Sequence, residues 1–316
     1  MSALVSSNAR ALVAATIAPE DRILVTGAGG WFGLTTLDLL NGTGASVLGL
    51  TSNGRDLEIG GESIPTSTWD DELVRAFRPT HVLDFAFLTR DRVADLPLDE
   101  YVDTNRKLMA QMLVAAALPD TRSIVTISSG AAVYPDDALR HPLQDNPYGF
   151  LKRETEEALT ALVSDGARNA VMLRAWGVSG AYNRIPRKYA LGDMILQAPS
   201  GRIDIRAANQ VWRRYSLADE QIAVALAIAG RRTAVIDSGG ALVEVGQLAE
   251  AVRAVVNPDA AIFRPAAATG PDDRYHTDDV LWQAACREAG LDAEPLEDQI
   301  AITARGLLGA GVTWPR

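Results

Sequence analysis

The stretch "ILVTGAGGWFGLTTLDLL" at residues 23–40 constrains this chain more than any other, because an apolar run passes through glycines straight into a helical pattern. Gly27, Gly30 and Gly33 are spaced three apart within it. The first permits a tight turn, the second lets a pyrophosphate approach the backbone, and the third lets helix and strand pack closely. The helix start offers unpaired N–H groups and a positive dipole end to the phosphate. No lysine follows the last glycine, which disfavours a kinase-type phosphate loop. A dinucleotide is the expected ligand.

The rest of the chain supplies the matching scaffold. Nearly continuous apolar runs at 22–26, 46–51, 81–87, 123–128 and 170–175 read as strands covered on both faces, with "ESIPTST" as a weaker third strand. Helical patterns lie between them, including "DTNRKLMAQMLVAAAL" and "FLKRETEEALTALV". Such alternation predicts an α/β fold: a Rossmann-type, doubly wound parallel sheet joined by right-handed crossovers. Residues 21–180 form the expected dinucleotide-binding domain, with 209–256 returning to it. Residues 1–20 form an N-terminal extension, read as a short helix or tail packed on the domain. Residues 181–316 mostly build a smaller substrate-binding region. Its last pattern, "HTDDVLWQAACREAGL", predicts a helix capped by Thr277.

Charge and composition exclude several classes. Among 316 residues, 30 Lys and Arg face 40 Asp and Glu, a net charge of -10 with no basic run, so nucleic acid is not an expected partner. One cysteine, Cys286, excludes an intrachain disulfide and a Cys-based metal site, and His81, His141 and His276 are too scattered to make a histidine site. No metal is expected. No apolar run reaches the ~20 residues that span a bilayer. The cytoplasm is the default compartment.

Tyr148 and Lys152, in "NPYGFLKRETEEAL", stand four apart at a helix opening and so share a face. A phenol near pKa ~10 is a poor base at neutral pH, and an adjacent ammonium lowers that value. The pair could then exchange a proton with a substrate hydroxyl or carbonyl while a nicotinamide exchanges the hydride. The second strand ends in Thr51, Ser52 and Asn53, where an NAD site usually carries an acid, and Arg55 follows. Hydroxyls with an arginine suit a 2′-phosphate, so NADP is preferred over NAD.

With "TGAGGWFG", "NPYGFLK", Asn105 in "YVDTNRKLMAQ", "VTISSGAAVY", "LRAWGVSGAY", "WRRYSLADE" and "LEDQIAITARGL" together, the chain resembles an extended short-chain dehydrogenase/reductase of the NAD-dependent epimerase/dehydratase family, nucleotide-sugar type, over roughly residues 20–308. The resemblance implies a cofactor site that also includes Trp31, Phe32, Asp70, Phe85, Ala86, Phe87, Asn105 and Ser128. It implies a substrate site with Ser129, Gly130, Asn183 and Arg213, Arg213 holding a sugar-nucleotide phosphate. It implies a homodimer joined through the helices near 102–118 and 148–163.

Two departures shape the expected activity. Gly130 stands where the family places a catalytic Ser or Thr, leaving Ser129 as the third member beside Tyr148 and Lys152. Ala131 and Ala132 replace the acid pair of sugar 4,6-dehydratases and cannot move protons, which disfavours dehydration. The expected function is an NAD(P)-dependent epimerase or ketoreductase acting on a nucleotide-activated sugar. The alternatives are an NADP-binding redox sensor without catalysis and a reductase of a non-sugar secondary-metabolite ketone.

Overall fold

A computed structural model describes residues 4–134, 142–266 and 270–309. His141 falls outside them. Seven strands form the central sheet: β1 (Arg22–Thr26), β2 (Ser46–Leu50), β3 (Thr66–Ser67), β4 (His81–Asp84), β5 (Ser123–Ser129), β6 (Asn169–Ala175) and β7 (Ala234–Asp237). Their order is β7-β6-β5-β4-β1-β2-β3 and every pairing is parallel. The order reverses at β1, which pairs with β2 on one side and β4 on the other, so a crevice opens beyond the carboxyl ends of these strands.

The two-residue period of a strand divides the core. Ile23 and Val25 face one layer, packed against α2 (Trp31–Leu40) and α7 (Ala218–Ala229). Leu24, Val82, Ile124 and Met172 face the other, against α3 (Asp71–Phe77), α4 (Leu98–Ala116) and α5 (Pro147–Leu162). The extension is a helix, α1 (Ser7–Thr16), capped by Ser6 and fastened where the Ser6 N–H donates to the Asp219 carboxylate at the start of α7.

Three expectations about element ends change. "ESIPTST" is split by Pro65: Glu62–Ile64 pairs antiparallel with Leu57–Ile59 in a hairpin, and only Thr66 and Ser67 join the sheet. β4 stops at Asp84 rather than 87, because the chain turns to meet Gly27. Thr277 caps no helix. The last pattern forms α9 (Val280–Ala289), the Val280 N–H accepted by Asp278, while the Thr277 carbonyl accepts from Arg214.

A second cluster forms the smaller region. It joins α6 (Ala190–Gln197), α8 (Val245–Val256) and α10 (Leu296–Leu308) around Ile195, Leu248 and Ile300. α8, within the 209–256 segment, packs here, whereas α7 and β7 pack on the sheet. The strand Val211–Leu217 runs antiparallel to Ala241–Glu244 and parallel to Asp273–Tyr275, setting Arg213 beside Tyr275 in register.

Candidate active site

At the switch point, glycine is required by contact as well as by conformation. Gly27 has φ +60°, and a Cβ there would lie 2.6 Å from the Phe85 carbonyl carbon and 2.7 Å from the Ala86 nitrogen. A Cβ at Gly33 would lie 2.3 Å from the Gly27 carbonyl oxygen, so α2 could not approach the turn. Gly30 closes the turn with its N–H on the Gly27 carbonyl at 2.9 Å, and no side chain caps α2. The Trp31 indole nitrogen is buried without a partner among the described residues and lies 3.4 Å from where a Cβ on Gly180 would sit. A bare helix start, a backbone cradle and an unpaired buried donor fit a dinucleotide pyrophosphate. Phe32 packs on Phe85, with ring centroids 6.0 Å apart.

Around this turn, some expected residues face the crevice and others serve the scaffold. Thr51 hydrogen-bonds to Thr66, whose hydroxyl also donates to the Arg55 carbonyl, leaving Ser52, Asn53 and the Arg55 side chain exposed. The Asp70 carboxylate caps α3 by accepting from the Leu73 N–H at 2.7 Å. Asn105 is buried and accepts from the Leu88 N–H, holding the loop that carries Phe85, Ala86 and Phe87. Ser128 points to the other side of β5, donating to Glu156 on α5.

The Tyr148–Lys152 pair sits one turn into α5, which Asn146 caps by accepting from the Gly149 N–H. Gly149 is forced, since a Cβ would lie 2.2 Å from the Ala131 carbonyl oxygen. Lys152 is buried, donates to the Ile127 carbonyl at 2.6 Å, and places its ammonium 3.7 Å from the centroid of the Phe87 ring. Burial lowers its pKa to about 8, against the pull of Asp84 and Glu156. Phe87 meets Tyr148 edge-on at 5.7 Å.

Tyr148 differs from expectation. Burial raises its phenol well above the ordinary value near 10, opposed by hydrogen bonding from Ser129. Desolvation is the main cause, while the Lys152 ammonium lies 6.0 Å from the phenol ring centroid and is turned toward Ile127 and Phe87. The pair is therefore a phenol beside a shielded cation.

Ser129 is the last residue of β5, in extended conformation, and the chain then turns through Gly130–Ala132. Its hydroxyl accepts from the Ala131 N–H at 3.2 Å and lies 3.4 Å from the Tyr275 hydroxyl. Arg213 is engaged by Asp273 at 2.8 Å, and Asn183 accepts from the Ile185 N–H.

The sequence reading passed over Asp84, Tyr134, Trp176 and Tyr275. Buried Asp84 accepts from Thr26 and Thr126, tying three strand ends together, and desolvation raises its carboxyl pKa. An acid inside the apolar run "HVLDFAF" was the available signal. Tyr134, Trp176 and Tyr275 form an aromatic group with centroids 4.9–6.0 Å apart. β5 and β6 pair Ser129 with Ala175, so Gly130 and Trp176 follow at neighbouring strand ends, a small residue beside a large one.

With this geometry in view, comparison with known proteins gives the family. The profile of the NAD dependent epimerase/dehydratase family matches residues 23–238. The chain belongs to this family. Solved structures of family enzymes share its fold. UDP-glucose 4-epimerase from Thermotoga maritima, determined with UDP-glucose, has a TM-score of 0.70 at 19% identity, over 91% of this chain and 98% of that one. UDP-glucose 4-epimerase from Brucella ovis, in complex with NAD, has a TM-score of 0.72 at 17% identity, over 93% of this chain and 100% of that one. An NAD-dependent NDP-hexosamine 5,6-dehydratase of tunicamycin biosynthesis has a TM-score of 0.70 at 20% identity, over 91% and 97%. No curated protein matches significantly. Among the described residues no helix is long and apolar enough to cross a membrane, and no group of acidic, histidine or cysteine side chains could hold a metal ion.

Proposed function

We propose that this family member is an NAD(P)-dependent epimerase or ketoreductase acting on a nucleotide-activated sugar, with Tyr148 as acid/base. The observation that carries the reading is the Tyr148–Lys152–Ser129 group at the carboxyl end of β5, across the switch-point crevice from the bare start of α2. Gly27, Gly30, Trp31 and Gly33 hold the pyrophosphate, and Thr51, Ser52, Asn53 and Arg55 face the adenosine ribose. When bound, the nicotinamide supplies hydride exchange at the reacting carbon. Tyr148, as a phenol, gives its proton to the carbonyl oxygen as the ketone is reduced, and the phenolate left behind takes a proton back when a substrate hydroxyl is oxidised. Its raised pKa keeps it a phenol, the state from which ketone reduction begins. Lys152 orients the nicotinamide ribose.

The end of β2 carries no acid, which supports NADP, whereas neighbours of this fold are complexes with NAD. Ala131 and Ala132 in the turn after Ser129 leave no proton carriers for dehydration. A second reading, reduction of a non-sugar ketone, draws on the aromatic group of Tyr134, Trp176 and Tyr275. The protein works in the cytoplasm as a homodimer through α4 and α5, and size-exclusion chromatography with light scattering would return a monomer mass if that assembly is wrong.

The test of function is a panel of UDP- and dTDP-sugars with NAD and NADP, followed by product analysis. Turnover of a sugar nucleotide that is lost in Tyr148→Phe supports the proposal. Turnover confined to small aromatic ketones transfers it to the second reading, and dinucleotide binding without turnover of either class refutes both in favour of a sensor.

A further inference from the structure

Position 130 lacks a side chain because its space is taken. A Cβ on Gly130 would lie 2.4 Å from Cδ2 and 2.6 Å from Cε3 of Trp176. The indole is fixed from the far edge of the sheet. Its N–H donates to Asp237 at 2.7 Å, its backbone N–H donates to Ser238, and Arg174, bidentate on Glu156, lies 3.9 Å from Asp237. A serine or threonine at 130 could not coexist with this tryptophan.

A hydroxyl comes close to Ser129 from a different element. Tyr275, at the end of the strand Asp273–Tyr275, packs at 4.9 Å on Trp176 and 5.2 Å on Tyr134. Its hydroxyl lies 3.4 Å from the Ser129 hydroxyl. Ser129 already accepts from the Ala131 N–H, so its own proton is free to be donated onward. The strand is locked in register with Val211–Leu217, and Arg213 pairs with Asp273 beside it.

We propose that Tyr275 is the third hydroxyl of the reaction centre, forming with Ser129 the hydrogen-bonding chain that faces Tyr148 and the oxygen it protonates, in place of a hydroxyl that Trp176 excludes from position 130. This rests on the Tyr148 reading above. The smaller region thereby contributes a positioning residue as well as substrate contacts. No bond is made or broken at Tyr275, which donates a hydrogen bond and keeps its proton.

The decisive variant is Tyr275→Phe, which keeps the ring and its packing and removes only the hydroxyl. With tyrosine carrying carbon-13 at Cζ, the Tyr148 resonance is identified by its loss in Tyr148→Phe and read at neutral pH, in the parent protein and in Tyr275→Phe. The expected result is a shift of that resonance without the Tyr275 hydroxyl, since Cζ responds to hydrogen bonding at the phenol oxygen. Adding Ser129→Ala to Tyr275→Phe should then shift it by less than Ser129→Ala does alone, because the two act in one chain. An unchanged Tyr148 resonance in Tyr275→Phe, with an unchanged melting curve, overturns the proposal and leaves Tyr275 as a packing residue. The spectrum needs no substrate. A protein that binds neither NAD nor NADP would therefore refute the proposed function while the same spectrum still decides the role of Tyr275.

Discussion

The two ends of the central sheet carry similar polar residues and use them in opposite ways. At the amino end, Asp21, Thr80, His81 and Arg122 form a closed set in which each side chain meets another. At the carboxyl end, Asp84, Thr26, Thr126 and Lys152 tie strands together, but beside them the start of α2 has no side-chain cap and the Trp31 indole no partner among the described residues. A polar cluster that satisfies itself holds a fold. One that leaves donors over, at a strand-order switch point, is built to bind.

The largest effect expected from this contrast is on chemistry. Tyr148→Phe should lower turnover by roughly 10²–10⁴-fold, the range for loss of a positioned acid/base. Dinucleotide affinity and melting temperature should stay close to those of the parent, as seen by calorimetric titration and thermal melting. A variant that turns over normally would remove the carboxyl end's claim to catalysis.

Next in size is the turn itself. Gly33→Ala should weaken dinucleotide binding by about 10²-fold or more and destabilise the fold, because its methyl meets the Gly27 carbonyl and neither backbone can yield. Gly42→Ala is the control, at φ +86° with nothing within 4 Å of the added carbon, and should cost only about 1 kcal/mol with binding intact. Equal effects at both positions would mean that close approach at Gly33 is not what the turn needs.

The amino end should answer to pH and not to ligand. Burial lowers the His81 pKa from 6.5 to about 4, with Arg122 acting the same way and Asp21 opposing. The folded state therefore disfavours the imidazolium, so stability is retained above the unfolded value and lost as pH falls from 6.5 to about 4. The loss is on the order of 3 kcal/mol. Denaturant titrations across that range should show the slope, and His81→Asn should reduce it without changing NAD affinity at neutral pH. A slope that survives the substitution would assign it elsewhere.

The smallest effect concerns cofactor choice. Arg55 is exposed, so Arg55→Ala should weaken NADPH by about fivefold, one solvent-screened charge contact, and leave NADH unchanged. Equal losses for both would take the 2′-phosphate away from Arg55.

Much of the carboxyl end could be read from the sequence, for a physical reason. The glycine turn and the Tyr–Lys pair are local: each lies within one strand–helix junction or one helical turn, so spacing alone places their residues. β1, β5 and β6 lie where the apolar runs place them, since strands covered on both faces must be apolar. What escaped was non-local. Tyr275 meets Ser129 across 146 residues, Asp273 takes up Arg213 from 60 residues away, and Phe87 comes from another loop to cover Lys152. The Tyr148 pKa was misjudged because sequence separation does not reveal where a lysine turns its charge. The cap near Thr277 failed because the Thr277 carbonyl is already engaged by Arg214 from another strand.

The most direct test of the account is to purify the protein without added cofactor, identify any nucleotide released on denaturation, and then titrate NAD and NADP into the emptied protein and into Gly33→Ala. The account predicts one dinucleotide per chain, carried through purification or bound on titration, and lost in the variant. No binding of either dinucleotide to the intact protein, or equal binding to both proteins, would contradict it.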